Sequence, residues 1–298
     1  LRPTMSSPFR SNILQGKVAL ITGGGSGIGL EIARQLGLHG ASLVISGRRQ
    51  AVIDESASTL RKEGIKVTPV SGDVRSLEDG ERMVAAAVSN YGRLDILVNC
   101  AAGNFLAVAE ELKPKGFKTV MDIDTVGVFT TSHAAFPALK ASGDAVIINI
   151  SATLHYGATW FQTHASAAKA AIDSITRSLA LEWGSYGIKV NGVAPGPIAG
   201  TAGLTKLAPG AEEKMAKKMA EEIPVGYLGE KWDIAMACVY LASSAGRFIS
   251  GDTMVVDGAQ WMWRPPIAPR AMISKLSKGV EKKSRAVISD GPGPRSKL

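Results

Sequence analysis

Thr22-Gly23-Gly24-Gly25-Ser26-Gly27-Ile28-Gly29 follows a short apolar run and opens directly into an amphipathic pattern. Gly23 lets the chain turn, Gly27 lets backbone approach a bound phosphate, and Gly29 lets the following helix pack on the strand before it. The helix N-terminus then presents free N–H groups and the positive end of its dipole. A glycine run alone can be no more than a turn. Between a strand and a helix, near the start of a long alternating chain, it reads as a pyrophosphate-binding turn that includes Ser26 and Ile28.

Working outward, short β-branched apolar runs alternate with helical patterns from Lys17 to about Asp257. Strands are expected at 18–22, 42–46, 66–70, 95–99, 145–150, 189–193 and 253–256, and helices at, for example, 28–38 and 77–90. Continuous apolar runs mark strands buried on both faces, and their alternation with helices specifies parallel strands joined by right-handed crossovers. The expected fold is α/β: a single-domain Rossmann fold over 16–262, a doubly wound parallel sheet of about seven strands with helices on both faces. Residues 1–15 read as an N-terminal extension, with Leu1-Arg2-Pro3-Thr4 ahead of Met5 non-native. The segment 200–222 breaks the rhythm and is expected to act as a mobile cover. From Trp263 the chain turns Pro-rich and then basic, and 263–298 reads as a partly ordered tail.

With 298 residues at 45% hydrophobic, the chain can bury one large core. No apolar run reaches the roughly 20 residues that span a bilayer. Cys100 and Cys238 lie in apolar sequence and read as free thiols, and no metal is expected. The formal charge of +8 gathers partly at the end, where Lys275, Lys278, Lys282, Lys283, Arg285, Arg295 and Lys297 crowd together. Without zinc-finger spacing or a helix-turn-helix signature it does not indicate nucleic acid, and it suits polyanionic small molecules. Ser296-Lys297-Leu298 matches a peroxisomal address read by an import receptor, held out by the Pro/Gly-rich 290–294. The expected location is therefore the peroxisome.

The second apolar run ends Ile45-Ser46-Gly47-Arg48-Arg49. An acid there would bond the ribose diol of NAD and repel a 2′-phosphate. Two arginines without an acid do the reverse, so NADPH is expected, the plain alternative being solvated surface charge. Asp73-Val74 is expected against the adenine edge. Asn99, Ala101 and Gly103, in the run Asn99-Cys100-Ala101-Ala102-Gly103, would place small residues against the dinucleotide.

The Gly-rich turn, the Asn-x-Ala-x-Gly run, Lys169 and Pro195-Gly196-Pro197-Ile198 resemble the short-chain dehydrogenase/reductase family, from about Gly16 to Gly258. More narrowly, Ala101–Phe105, Ile150–Leu154, Ala194–Ile198 and the terminal Ser-Lys-Leu resemble its peroxisomal 2,4-dienoyl-CoA reductases, with 122–124 and 154–156 closest to the plant members. The resemblance adds Pro195, Gly196 and Ile198 to the cofactor site and implies a homo-oligomer, with a tetramer favoured. Typical family members use Asn, Ser, Tyr and Lys. By motif position these fall on Val126, Ala152, Ala165 and Lys169, so only the lysine survives.

In carbonyl reduction the phenol hands a proton to the alkoxide, and such acid catalysis is worth about 10²–10⁴-fold. Alanine cannot do this. Reduction of a conjugated dienoyl thioester instead requires the proton at carbon, after a resonance-stabilised enolate has formed, and a held water can deliver it. The resemblance assigns that task to Lys169 and Asp173, one helical turn apart, with a small polar void expected where the phenol is missing. Asp173 can also be read as an ordinary i,i+4 partner of Lys169 or Arg177. Lys169 is further expected to bond the nicotinamide ribose. Tyr156 is the rival acid, and His155 and His164 are candidates of the same kind or structural histidines. Ser151 and Thr153 flank the empty serine position, and Asn104, Phe105, Ser151, Tyr156 and Trp160 are expected to line the acyl side. The expected activity is NADPH-dependent reduction of 2,4-dienoyl-CoA to trans-3-enoyl-CoA in β-oxidation of unsaturated fatty acids. The rivals are a 2-enoyl-CoA or carbonyl reductase and a non-catalytic NADPH-binding protein.

Overall fold

The structure, a computed structural model, describes residues 6–201 and 212–289. The terminal tripeptide, residues 1–4, and 202–211 of the expected cover lie outside the described residues. The chain divides into two compact units, Leu1–Trp261 and Met262–Leu298.

In the first unit β1 (Val18–Thr22), β2 (Ser42–Gly47), β3 (Val67–Ser71), β4 (Ile96–Asn99), β5 (Ala145–Ile150), β6 (Ile188–Pro195) and β7 (Thr253–Val256) form one sheet. Its order is β3-β2-β1-β4-β5-β6-β7, and every neighbouring pair is parallel. Each strand stands where its apolar run predicts. β6 continues through Ala194 and Pro195, because a parallel partner lies alongside: Ala194 pairs with Val255 and Pro195 with Val256.

The helices are α1 (Gly27–Leu38), α2 (Gln50–Lys62), α3 (Leu77–Tyr91), α4 (Pro114–Met121), α5 (Gly127–Ser142), α6 (Thr163–Trp183), α7 (Glu212–Glu221) and α8 (Lys231–Ala242). They cover both faces, and the strands alternate between two cores. Ala19 and Ile21 enter one with Ile32 and Leu36 of α1 and Ile234 and Val239 of α8. Val18 and Leu20 enter the other with Met83 of α3, Leu139 of α5 and Leu179 of α6. Burial on both faces is why the inner strands β1, β4 and β5 are almost wholly apolar, while the edge strands β3 and β7 are only partly buried. Leu14, 1% exposed, belongs to the first core, and its N–H donates to the His39 carbonyl at 2.9 Å. The stretch just ahead of β1 thus packs within the unit instead of trailing from it.

Strand order reverses at β1, whose neighbours are β2 and β4. Sheets of this kind bind ligands at the carboxyl edge beside such a switch point, where the connections leaving β1 and β4 begin.

The second unit contains α9 (Arg270–Ser289), a basic helix on which Met272, Ile273, Leu276 and Val280 are exposed. Among the described residues no helix is long and apolar enough to cross a membrane.

Candidate active site

The glycine turn sits at the carboxyl end of β1. Gly23 has φ +67°, and a Cβ there would lie 2.9 Å from the Ala101 nitrogen. A Cβ at Gly29 would lie 2.3 Å from the Gly23 carbonyl oxygen, so the first turn of α1 closes directly on the loop. Gly27 has φ +58° and open space beside it. Ser26, the N-cap of α1, makes no side-chain capping bond, so the first-turn N–H groups remain available to an anion. This cradle fits a dinucleotide pyrophosphate.

Around it, Arg48 and Arg49 are exposed at the end of β2 with no acid in the loop. Asp73 forms a bidentate pair with Arg75, and that bond, with the charges of Arg75 and Arg48, holds its carboxyl below the ordinary value against the opposing effect of burial. Val74 is buried against Gly127. The Asn99 amide donates to Asn149 Oδ1 at 2.9 Å and to Ser132 Oγ at 3.0 Å, and its carbonyl oxygen accepts from Thr131 Oγ1 at 2.6 Å. Its side chain is a strut between β4, β5 and α5, so it meets a ligand only through its backbone. The Cys100 and Ala101 N–H groups donate to Thr22 Oγ1, tying the β4 loop to the glycine turn. Both cysteines are free thiols. Burial pushes Cys100 up to about 12 and raises Cys238 further, which leaves neither reactive.

The chemistry gathers on the far side of this loop. A π-helical turn, Asp122–Val126, interrupts the helix between α4 and α5. Such turns rotate side chains out of ordinary register and recur at functional sites. Asp124, 1% exposed, faces inward, where its Oδ2 lies 3.0 Å from the ammonium of Lys169 in α6. Asp124 Oδ1 accepts the Gly103 N–H at 2.7 Å, and Lys169 also donates to the Ile150 carbonyl at 3.1 Å. Two of the three ammonium donors are therefore committed, and one is left for a ligand. Val126 does not take the asparagine's place: it is 46% exposed, and the acid two residues earlier stands against the lysine. Sequence reading missed Asp124, although it lies four residues after buried Val120 and four before buried Val128, which puts it on the inner helix face.

Asp173, one turn beyond Lys169, is 3% exposed. Its Oδ2 accepts from His155 Nε2 at 2.8 Å, while Oδ1 is buried without a partner among the described residues. The expected Lys169–Asp173 couple is thus two pairs, each closed by a residue from another element. Tyr156 meets His155 edge to face at 4.7 Å and Trp261 at 5.3 Å. Burial first, then the charges of Asp173 and Asp252, raise its phenol above the ordinary value, so it is protonated at neutral pH.

The polar void expected beside Ala165 is not what surrounds that methyl group. Ala165, 2% exposed, packs in an apolar cluster with Val120, Ala168, Met121 and Leu154. Ser151 is buried and its hydroxyl donates to the Lys169 carbonyl at 3.5 Å; Thr153, two residues on, is buried as well. On the outer side, Asn104 Nδ2 donates to Gln162 Oε1 at 2.6 Å and the Ala107 N–H to the Phe161 carbonyl at 3.0 Å, joining the two loops over the site. Phe105, 41% exposed, lies 4.4 Å from the His164 ring at a tilt of 39°, and burial lowers the pKa of that fully buried imidazole. Trp160, expected as acyl lining, is 83% exposed and leans on Phe161 instead. At the end of β6, Pro195 and Gly196 lie along β7: a Cβ on Gly196 would sit 2.5 Å from the Asp257 Cβ. Ile198 is buried just beyond.

Residues 23–259 match a family model described as enoyl-(acyl carrier protein) reductase. The chain is 55% identical over 291 residues to the peroxisomal 2,4-dienoyl-CoA reductase ((3E)-enoyl-CoA-producing) of Arabidopsis thaliana, covering 95% of this chain and 97% of the relative. It is 44% identical over 258 residues to the protein of the same name from Rattus norvegicus, covering 86% and 88%. A crystal structure of a short chain dehydrogenase from Bacillus anthracis superposes with a TM-score of 0.76 at 35% identity, over 85% of this chain and 100% of that one. Together with the parallel sheet, the glycine turn and the buried lysine of α6, these likenesses mean that the chain belongs to the short-chain dehydrogenase/reductase family.

Proposed function

We propose that this protein reduces 2,4-dienoyl-CoA thioesters to trans-3-enoyl-CoA with NADPH, in the peroxisomal β-oxidation of unsaturated fatty acids. The observation that carries the reading is an enclosed Lys169–Asp124 pair beside a helix on which Ala165 stands where the family's phenol is missing. A carbonyl reductase would forgo an acid worth about 10²–10⁴-fold. Reduction of a conjugated thioester tolerates the loss, because its proton goes to carbon after charge has spread to the thioester oxygen. The two relatives named for this reaction support it.

NADPH, when bound, supplies hydride to the far end of the conjugated system. The glycine turn holds the pyrophosphate, and Arg48 and Arg49 meet the 2′-phosphate. Lys169, fixed by Asp124 and the Ile150 carbonyl, uses its remaining N–H to orient the nicotinamide ribose. Its charge also favours electron density gathering nearby. The unpartnered Asp173 Oδ1 holds the water that gives its proton to carbon, with Lys169 one turn away on the same helix. A second reading, in which Tyr156 is the acid, draws on its raised, protonated phenol beside Asp173. The substrate partner is an acyl-CoA. Import through Ser296-Lys297-Leu298 and assembly as a homo-tetramer belong to the same proposal.

The deciding assay is NADPH oxidation, followed by absorbance, with a 2,4-dienoyl-CoA and a 2-enoyl-CoA of equal length. Turnover of the dienoyl thioester alone is expected. Turnover of the 2-enoyl-CoA would favour the rival reductase, and binding of NADPH without oxidation by either would make the protein non-catalytic. For the cofactor, replacing Arg48 and Arg49 together by alanine is expected to raise the Kd for NADPH roughly 10–100-fold, the worth of a lost charge-assisted contact, and to leave NADH nearly unchanged. Fluorescence titration with both dinucleotides checks this; equal weakening would remove the arginines from 2′-phosphate recognition.

A further inference from the structure

Asp173 is a buried carboxylate with one oxygen held and one open. His155 holds it, with Nε2 2.8 Å from Oδ2; Oδ1 is buried without a hydrogen-bond partner among the described residues, and the Tyr156 phenol stands near enough for Asp173 to raise it by charge and by side-chain hydrogen bonding. A carboxylate accepts hydrogen bonds, so Nε2–H donates to Oδ2. His155 Nδ1 is itself buried without a partner among the described residues. The imidazole comes from the loop between β5 and α6, where the Tyr156 N–H closes a turn on the Thr153 carbonyl at 3.2 Å. Aromatic contacts add to that hold. Tyr156 crosses the ring at 88° and Trp261 crosses Tyr156 at 88°. The Trp261 backbone N–H in turn donates to Asp257 Oδ2 at 2.9 Å, just past the end of β7. A chain of contacts therefore runs from β7 through Trp261, Tyr156 and His155 to Asp173.

We propose that His155 is a positioning residue for the reaction: by donating to Asp173 Oδ2 it fixes the carboxylate rotamer and leaves Oδ1 aimed at the proton-donating water. The proposal rests on the reading of Asp173 as the holder of that water. The alternative for His155, a satisfied structural histidine, does not account for two orphaned atoms on the two sides of one hydrogen bond, since a structural pair would be expected to close both. No proton passes through His155 in this scheme. It carries out no bond-making step: the water's O–H bond breaks as the new C–H bond forms, and the hydroxide left behind takes a proton from solvent.

The experiment compares His155→Leu, which removes the donor, with His155→Gln, whose amide can replace Nε2–H, each alone and in an Asp173→Asn background. In His155→Leu, kcat for a 2,4-dienoyl-CoA is expected to fall about tenfold or more, the effect of a misplaced group, with both KM values and the NADPH Kd within about threefold of wild type. His155→Gln should recover most of kcat. In the Asp173→Asn background His155→Leu should cost almost nothing more, because the two act as one unit. An unchanged kcat in His155→Leu, equal losses in Leu and Gln, or effects that simply add would each overturn the proposal.

A second measurement does not depend on turnover. In protein labelled with 15N-histidine, the His155 Nε2–H resonance should lie downfield of ordinary imidazole signals and lose that shift in Asp173→Asn. If the wild-type protein leaves dienoyl-CoA untouched, the reaction reading fails by itself, and this resonance decides the pairing. Its presence with dependence on Asp173 establishes the pair on which the positioning role depends, and its absence overturns that role. The same holds should His155→Leu not fold.

Discussion

Lys169→Met is expected to lower kcat/KM for a 2,4-dienoyl-CoA by about 10²–10³-fold, the usual loss when one preorganised charge is taken from an enclosed site. The same change should destabilise the protein by roughly 3–5 kcal/mol, because Asp124, 1% exposed, would keep its charge with only the Gly103 N–H to answer it. The two losses have different causes and can be separated. Removing both partners, as Lys169→Met with Asp124→Leu, takes away the uncompensated charge, and well-packed apolar replacements of a buried ion pair are often neutral. The double variant should therefore regain most of the lost melting temperature while its turnover stays as low as that of Lys169→Met. Thermal melts and steady-state NADPH oxidation on the three proteins check this. Recovery of activity along with stability would mean that the pair is a structural brace and the lysine has no part in the reaction.

The fold was legible because its strands are buried on both faces. Continuous apolar runs such as Val18–Thr22 and Ala145–Ile150 leave a sequence no other element of that length to form, and the glycine turn fixes which end of the sheet binds. What escaped were features that depend on irregular backbone or on distant partners. Asp124, not Val126, takes the inner face beside a π-helical turn, and counting by motif position lands two residues past it. Lys169 and Asp173 suggested each other by their i,i+4 spacing. Their actual partners, Asp124 and His155, lie 45 and 18 positions earlier in the chain, on elements whose placement only the tertiary structure decides. Trp160 was read by residue type alone, and a large aromatic ring next to a loop of left-handed backbone at Phe161 (φ +61°) is carried outward. The tyrosine position, by contrast, needed only the count back from Lys169: its absence was visible in the sequence, but not that Val120, Met121 and Leu154 pack about Ala165 and displace the polar site toward Asp173.

That displacement makes the source of the proton the second large effect. Asp173→Asn is expected to reduce kcat about 10²–10⁴-fold, the range for loss of a positioned acid–base group, with NADPH binding kept. The change is nearly isosteric, so its effect is not one of volume. An amide at this place can still accept from His155, yet it presents either a donor or a neutral acceptor where Oδ1 now stands, and it cannot draw a water's proton into line as a carboxylate does. Tyr156→Phe keeps the ring and its edge contacts with His155 and Trp261 and removes only the hydroxyl. If the water is the donor, this variant should turn over within about threefold of wild type, since a half-buried hydroxyl at the margin adds little to the transition state. If the phenol is the donor, the order reverses: Tyr156→Phe should be the crippled protein, and Asp173→Asn should act only by easing the negative charge that now raises the phenol, leaving a more acidic tyrosine and modest losses. Rates for both variants, measured with NADPH binding on the same preparations, decide between a water held by Asp173 and a proton given by Tyr156. A severe loss confined to Tyr156→Phe would end the water reading.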